Sequence, residues 1–129
     1  MKTIYVAAAI IKDGNKFLAA QRGYGEFKDG WEFPGGKLEP GETGAEACVR
    51  EIDEELRVTI ADLEHLCTVE HDYETFHLVM ECFTCAIISG EIDDSEHENM
   101  KWLDAAHIWD VDWLPADVKV VEALEKTFA

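Results

Sequence analysis

The chain opens on an apolar run, residues 4–11, cut off at once by Lys12-Asp13-Gly14-Asn15. A second apolar-rich stretch, 16–21, follows the break. Two such runs around an Asp-Gly-Asn turn predict a pair of strands, 3–11 and 16–21, joined as a hairpin. Residues 22–30 are polar and carry Gly23, Gly25 and Gly30, which reads as a loop. Trp31-Glu32-Phe33 predicts a short strand stopped by Pro34-Gly35-Gly36, and Lys37-Leu38-Glu39 leads to a turn at Pro40-Gly41. The period then changes. Thr43 and Glu46 make a Thr-x-x-Glu capping box, and Ala45, Cys48, Val49, Ile52 and Leu56 repeat at helical spacing, predicting a helix over 44–57. Strand-like sequence returns at 58–73 and 76–88, with a third strand near 100–103 and a short helical turn at 104–109. Pro115 suits a helix start, and Val118, Val121, Leu124 and Phe128 give a closing amphipathic helix. Strands and helices mix without strict alternation, so the fold class is α+β or mixed-sheet α/β.

The length of 129 residues corresponds to a single domain, 1–129, able to bury a core without disulfides. Hydrophobic residues at 47% and charged residues at 30% exclude a disordered tail or a collagen-like fibre. Charge changes the picture more. Eleven Lys+Arg oppose 28 Asp+Glu, a net charge of −17. Such a chain is a poor partner for nucleic acid polymers or anionic membranes, and a polyanionic substrate would need a cation between them. The apolar opening is too short to span a bilayer and fits a first strand better than a signal peptide, so the expected location is cytoplasmic. Of the four cysteines, Cys48, Cys67, Cys82 and Cys85, the last two have the spacing of half a zinc site. They fall within one strand, however, where three residues apart means opposite faces. Buried free thiols are expected, as in a reducing compartment.

The candidate chemistry lies in residues 36–58. On the capped helix, at about 100° per residue, Glu51, Glu54 and Glu55 share one edge beside the apolar stripe. Like charges three and four apart repel unless something cationic sits on them. A cluster of hard oxygen ligands suits Mg²⁺, Mn²⁺ or Ca²⁺. Taken alone, an acidic helix face is more often ordinary solvated surface, since Glu is a good helix former. The Phe-Pro-Gly-Gly lead-in alters that balance, because glycine backbone can approach a ligand closely. Glu42, just before the cap, either adds a carboxylate or anchors the loop.

These residues resemble a known family. Gly36, five residues, Glu42, seven residues, then Arg50-Glu51-Ile52-Asp53-Glu54-Glu55-Leu56-Arg57-Val58 looks like the Nudix box, G-x5-E-x7-R-E-U-x-E-E-x-G-U, where U is a bulky aliphatic residue. One fixed position departs: Arg57 stands where the family has a helix-ending Gly. Ala20-Gln21-Arg22, Trp31-Glu32-Phe33-Pro34-Gly35-Gly36-Lys37, Trp102-Leu103 and Leu114-Pro115-Ala116-Asp117 resemble the MutT-like branch and its CTP pyrophosphohydrolase-like members. The resemblance implies an α/β/α sandwich and hydrolysis of a nucleoside triphosphate to the monophosphate and diphosphate, a pool-sanitising activity.

It also implies roles. Glu51, Glu54, Glu55 and the Gly35 carbonyl would bind Mg²⁺, with Mn²⁺ a substitute, and Arg50 would orient the carboxylates through its planar fork. The general base would be a box Glu or a carboxylate from Glu96-His97-Glu98. Glu96 is preferred as extra ligand and Glu98 is the alternative. Arg22 and Lys37 would contact phosphate. Phe76, like Tyr73, is open to stacking on a base, whereas Phe33 is expected in the core. Asp117 would read the base, and an acceptor-only Asp suits an exocyclic amino donor such as cytosine offers, which leans towards a cytidine-type or amino-bearing oxidised base. The partner expected is a small-molecule nucleotide, bound by a monomer or homodimer. A nucleotide sugar or dinucleotide polyphosphate substrate is the alternative enzyme reading. A non-catalytic nucleotide- or metal-binding module is the third, and the presence of all four box glutamates argues against it.

Overall fold

A computed structural model describes residues 1–128. The elements are β1 (Lys2–Asp13), β2 (Lys16–Arg22), β3 (Trp31–Glu32), β4 (Gly35–Lys37), α1 (Gly44–Leu56), β5 (Thr59–Asp72), β6 (Phe76–Ser89), β7 (His97–Leu103) and α2 (Pro115–Glu125). The opening apolar run is uninterrupted because β1 is central and covered on both faces. It pairs in parallel with β6 from Lys2↔Phe76 to Ile11↔Cys85. Its other edge takes antiparallel β4 at Val6, Ala7 and Ala8 and then β2 at Lys12 and Asp13. The sheet continues outward through the β6–β5 hairpin on one side and through β2, flanked by β3 and β7, on the other.

Two cores follow from the alternation along β1. Ala8 and Ile10 join Phe33, Met80, Val120, Val121 and Leu124 beneath α2, while Ala7, Ala9 and Ile11 join Cys48, Ile52, Leu56 and Val58 beneath α1. The result is a mixed sheet between two helices. Cys82 belongs to the first core and Cys85 to the second, so the pair does point to opposite faces. All four cysteines are free, with Cys67 only half-buried opposite Cys82 on the β5–β6 ladder. Burial pushes the Cys48 thiol up to about 12.

The boundaries depart from the pattern in instructive places. The strand at Trp31–Glu32 stops before Pro34 as expected, but Gly35-Gly36 then opens a further strand, because glycine lets β4 lie close against β1. An added Cβ on Gly35 would stand 2.0 Å from the Ala7 carbonyl oxygen. Strand β7 starts at His97 rather than near 100. In α1 the buried positions are Gly44, Ala47, Cys48, Ile52 and Leu56, so Ala45 and Val49 lie at the margin of the stripe. In α2 Val121 and Leu124 are buried as expected and Val120 joins them, while Val118 is only partly buried and Phe128 packs on Phe17 beyond the helix end. The short helical turn expected at 104–109 is present as successive hydrogen-bonded turns, with His107 N–H donating to the Asp104 carbonyl and Asp110 N–H to the His107 carbonyl.

The capping box of α1 is complete. Thr43 Oγ1 accepts from Glu46 N–H at 3.1 Å, and Glu46 Oε1 accepts from Thr43 N–H at 2.9 Å. At the other end Arg57 adopts the left-handed conformation, φ 60° and ψ 30°, its N–H donating to the Asp53 carbonyl. A non-glycine residue there costs about 1–2 kcal/mol. Arg57→Gly is therefore expected to raise stability by about 1 kcal/mol, read as a higher melting temperature. A lower one would place the value of Arg57 in its side chain.

Candidate active site

The capped helix turns its acidic edge towards β4 and the loops around it. Glu51, Glu54 and Glu55 line a cavity of about 740 Å³ that also touches Gly35, Lys37 and Glu96. Gly36 packs directly against Glu51. A Cβ on Gly36 would meet the Glu51 carboxylate at 2.4 Å, so the carboxylate lies on bare backbone.

Arg50 braces the cluster. Its Nε donates to Glu42 Oε2 at 2.7 Å, Nη2 to Glu42 Oε1 at 3.0 Å and to the Lys37 carbonyl at 2.9 Å. Its Nη1 reaches Glu51 at 2.8 Å and Glu54 at 3.1 Å. Glu42 and Glu51 hold the guanidinium pKa above its ordinary value, and Arg50 holds Glu42 below its own. Of the two roles open to Glu42, the structure gives it the anchoring one: its Oε1 also accepts from Glu39 N–H at 2.9 Å. Glu55 is tied elsewhere, to His97 Nε2 at 2.7 Å. Burial raises the Glu55 carboxyl against the opposing effect of His97.

Among the described residues no three His, Cys, Asp or Glu side chains converge closely enough to hold a metal ion as they stand. The donor set nonetheless fits a hard divalent cation. Glutamate oxygens from α1 and from Glu96 face one cavity, with glycine backbone beneath.

A second hollow of about 210 Å³ shares Arg22, Phe27, Glu32, Gly35, Lys37 and Phe76 with the first, so the two are continuous. Its walls are aromatic. Tyr73 lies 5.0 Å from Phe76 and 5.0 Å from Phe27 between ring centroids. Phe33 is buried and stacked on Trp113 at 4.6 Å. Asp117 lines this hollow, 5% exposed, its Oδ1 accepting from Phe33 N–H at 3.0 Å.

Burial, with some help from Glu32, pushes the Asp117 carboxyl up to about 8 against the Phe33 bond. Near neutral pH burial therefore favours the protonated acid, which offers a donor beside its acceptor oxygen. The linkage sign follows: this group's contribution to stability is full below about pH 3.8, its ordinary value, and is lost as pH rises towards 8. Asp117→Asn is expected to raise the melting temperature by several degrees more at pH 8 than at pH 5. An equal change at both would mean that Asp117 ionises freely.

The sequence-derived residues are brought together with unequal freedom. Glu51, Glu54, Glu55, Glu96, Gly35, Lys37, Arg22 and Phe76 line the first cavity, Arg50 braces it, and Asp117 lines the second. Glu98 does not line either hollow and stands beside Asp29. Arg22 is held by Glu32, with Nη2 to Oε1 at 2.5 Å and Nε to Oε2 at 3.2 Å. Sequence reasoning missed Glu32 as a site residue. The available signal was an acid between Trp31 and Phe33 in a strand, where alternation turns it away from the core side of its neighbours. It gave no means of pairing Glu32 with Arg22.

A mixed sheet between two helices, with an Arg-braced glutamate cluster over a Gly-Gly strand, is the architecture of a Nudix fold. The chain belongs to the NUDIX family: the NUDIX domain model matches residues 1–124. It is 33% identical over 128 residues to "Putative 8-oxo-dGTP diphosphatase 2" of Mycobacterium tuberculosis, covering 98% of this chain and 91% of that protein. It is 32% identical over 124 residues to "CTP pyrophosphohydrolase" of Escherichia coli, covering 95% and 92%. The solution structure of the E. coli ORF135 protein superposes with a TM-score of 0.82 at 31% identity, covering 100% of this chain and 93% of that one.

Proposed function

We propose that this NUDIX protein is a Mg²⁺-dependent nucleoside triphosphate pyrophosphohydrolase that clears a cytidine-type or modified nucleotide from the pool. Its standing as a hydrolase of phosphoric anhydride bonds rests on the family and on relatives named as diphosphatases and pyrophosphohydrolases. The observation that carries the substrate reading is the continuity of an acidic cavity with an aromatic hollow lined by a buried carboxyl. One end suits a metal-bound polyphosphate and the other a base.

The reaction is nucleoside triphosphate plus water giving the monophosphate and diphosphate. Glu51, Glu54, Glu55, Glu96 and the Gly35 carbonyl would hold the metal. A bound divalent ion supplies charge neutralisation at phosphate and a lowered pKa for water. Arg50 fixes Glu51 and Glu54 and spares the helix their mutual repulsion. Glu96, which lines the same cavity, or a box glutamate would take the proton of the attacking water. Lys37, with no ion pair among the described residues, is free to meet a phosphate. Arg22 meets it with the donors that Glu32 and the Glu26 carbonyl leave open. Phe76 and Tyr73 offer faces to the base, and Asp117 its edge.

The test is diphosphate release from a panel of canonical, methylated and oxidised nucleoside triphosphates, with Mg²⁺ and with EDTA. Metal-dependent release favouring one base is the expected result. No release from any triphosphate by folded protein would discard the reading in favour of nucleotide sugars, dinucleotides or binding alone.

A further inference from the structure

His97 combines three observations that no step described so far uses. Its side chain is 4% exposed, and Nε2 contacts Glu55 Oε1 at 2.7 Å. Its Nδ1 is buried with no hydrogen-bond partner among the described residues. It sits opposite Arg22 at a register shift of the β2–β7 ladder, directly after Glu96, and both residues line the catalytic cavity.

A buried polar atom without a partner costs about 1–3 kcal/mol. An imidazole kept under that penalty is poorly explained by packing, since an apolar ring would fill the same space without it. What the imidazole supplies is Nε2–H, a donor aimed at one oxygen of Glu55. With Oε1 engaged, the carboxylate is fixed in rotation and Oε2 is left for another partner. The same contact spans from β7 to α1 and ties the segment that carries Glu96 to the helix that carries Glu51 and Glu54. Arg50 cannot do this, because its partners are Glu39, Glu42, Glu51, Glu54 and the Lys37 carbonyl.

We propose that His97 is a positioning residue that sets the divalent-metal affinity of the site, by orienting Glu55 through Nε2 and holding Glu96 in register with the box helix. The proposal rests on the metal-dependent reading above. Outer contacts of this kind typically change metal affinity about 10–100-fold when removed.

Two amides of different reach separate this role from a structural one. Gln at position 97 can place its Nε2 where the imidazole Nε2 stands, whereas Asn ends near Nδ1 and falls short of Glu55. The full-length wild type, His97→Gln, His97→Asn and His97→Ala are titrated with Mn²⁺, following the loss of the free-ion electron paramagnetic resonance signal. Melting temperature is recorded alongside. With the triphosphate that wild type prefers, kcat, nucleotide KM at saturating Mg²⁺ and the Mg²⁺ activation constant are then measured. The expected result is Mn²⁺ affinity within about threefold of wild type for Gln and about 10–100-fold weaker for Asn and Ala. The Mg²⁺ activation constant should move in parallel while nucleotide KM stays constant. Equal Mn²⁺ affinity for Gln and Asn would overturn the proposal, whatever the melting temperatures. Should Ala fail to fold, the Gln–Asn comparison decides alone. A wild type that binds no Mn²⁺ and releases no diphosphate is the separate failure of the functional reading, visible before any variant is compared.

Discussion

Glu54→Gln is expected to lower kcat at least about 10³-fold, equivalent to about 4 kcal/mol of transition-state stabilisation, while stability stays within about 0.5 kcal/mol. The separation comes from how Glu54 is held. Its side chain is 60% exposed, and among the described residues its one ion pair is to Arg50 Nη1 at 3.1 Å. Glutamine keeps the volume and can still accept that bond. Arg50 retains Glu42, Glu51 and the Lys37 carbonyl, so the brace does not move. The charge is all that is lost, and an oxygen cluster that binds a divalent cation depends on charge. Steady-state kinetics beside thermal denaturation would check both halves. Turnover within tenfold of wild type would remove Glu54 from the reaction.

Gly35→Ala should act on the fold instead. A Cβ there would lie 2.0 Å from the Ala7 carbonyl oxygen and 2.8 Å from Ala8 Cα, both backbone of the central strand. Neither can turn aside as a side chain would, so β4 must separate from β1. A loss of about 3 kcal/mol or more is expected, a large share of the roughly 5–15 kcal/mol that holds a domain together, with a melting temperature lower by about 10 °C. Its neighbour provides the contrast. At Gly36 the obstructing atoms are the Glu51 carboxylate, the end of a flexible side chain. Gly36→Ala should cost less stability and more activity, because what moves is a proposed metal ligand. Comparable melting temperatures for the two variants would contradict this division.

The helix and its acids were legible because their signals are local. A capping box, a 3.6-residue stripe and glutamates at fixed offsets need only neighbouring residues to be read. The assignment of Cys82 and Cys85 to opposite faces followed from strand geometry alone. What escaped depended on contacts distant in the chain. Gly35-Gly36 looks like a strand stop until β1 is beside it. Asp117 looks like a first-turn acid until Phe33, Glu32 and Arg22 surround it, 84 residues back for the Phe33 bond. Glu32 and His97 take their meaning from Arg22 and Glu55, which no spacing rule connects to them. Arg57 shows the converse: the family's glycine is absent, yet the helix ends in the left-handed turn it would have made, at an energetic cost rather than a change of shape.

The parallel pairing of β1 with β6 has a consequence for how the chain is made. The strand completed first, ending at Asp13, finds its longest partner only from Phe76 onward. At about 5–20 residues per second of synthesis, that partner reaches the ribosome on the order of 3–12 seconds later. Through that interval Ile10 and Ile11 have no finished core to enter, and Cys48, Ile52 and Leu56 join them before it ends. A nascent chain with so much apolar surface waiting is open to association with its neighbours on the same message. The acidic excess, spread from Asp13 to Glu125, gives such chains mutual repulsion while they wait.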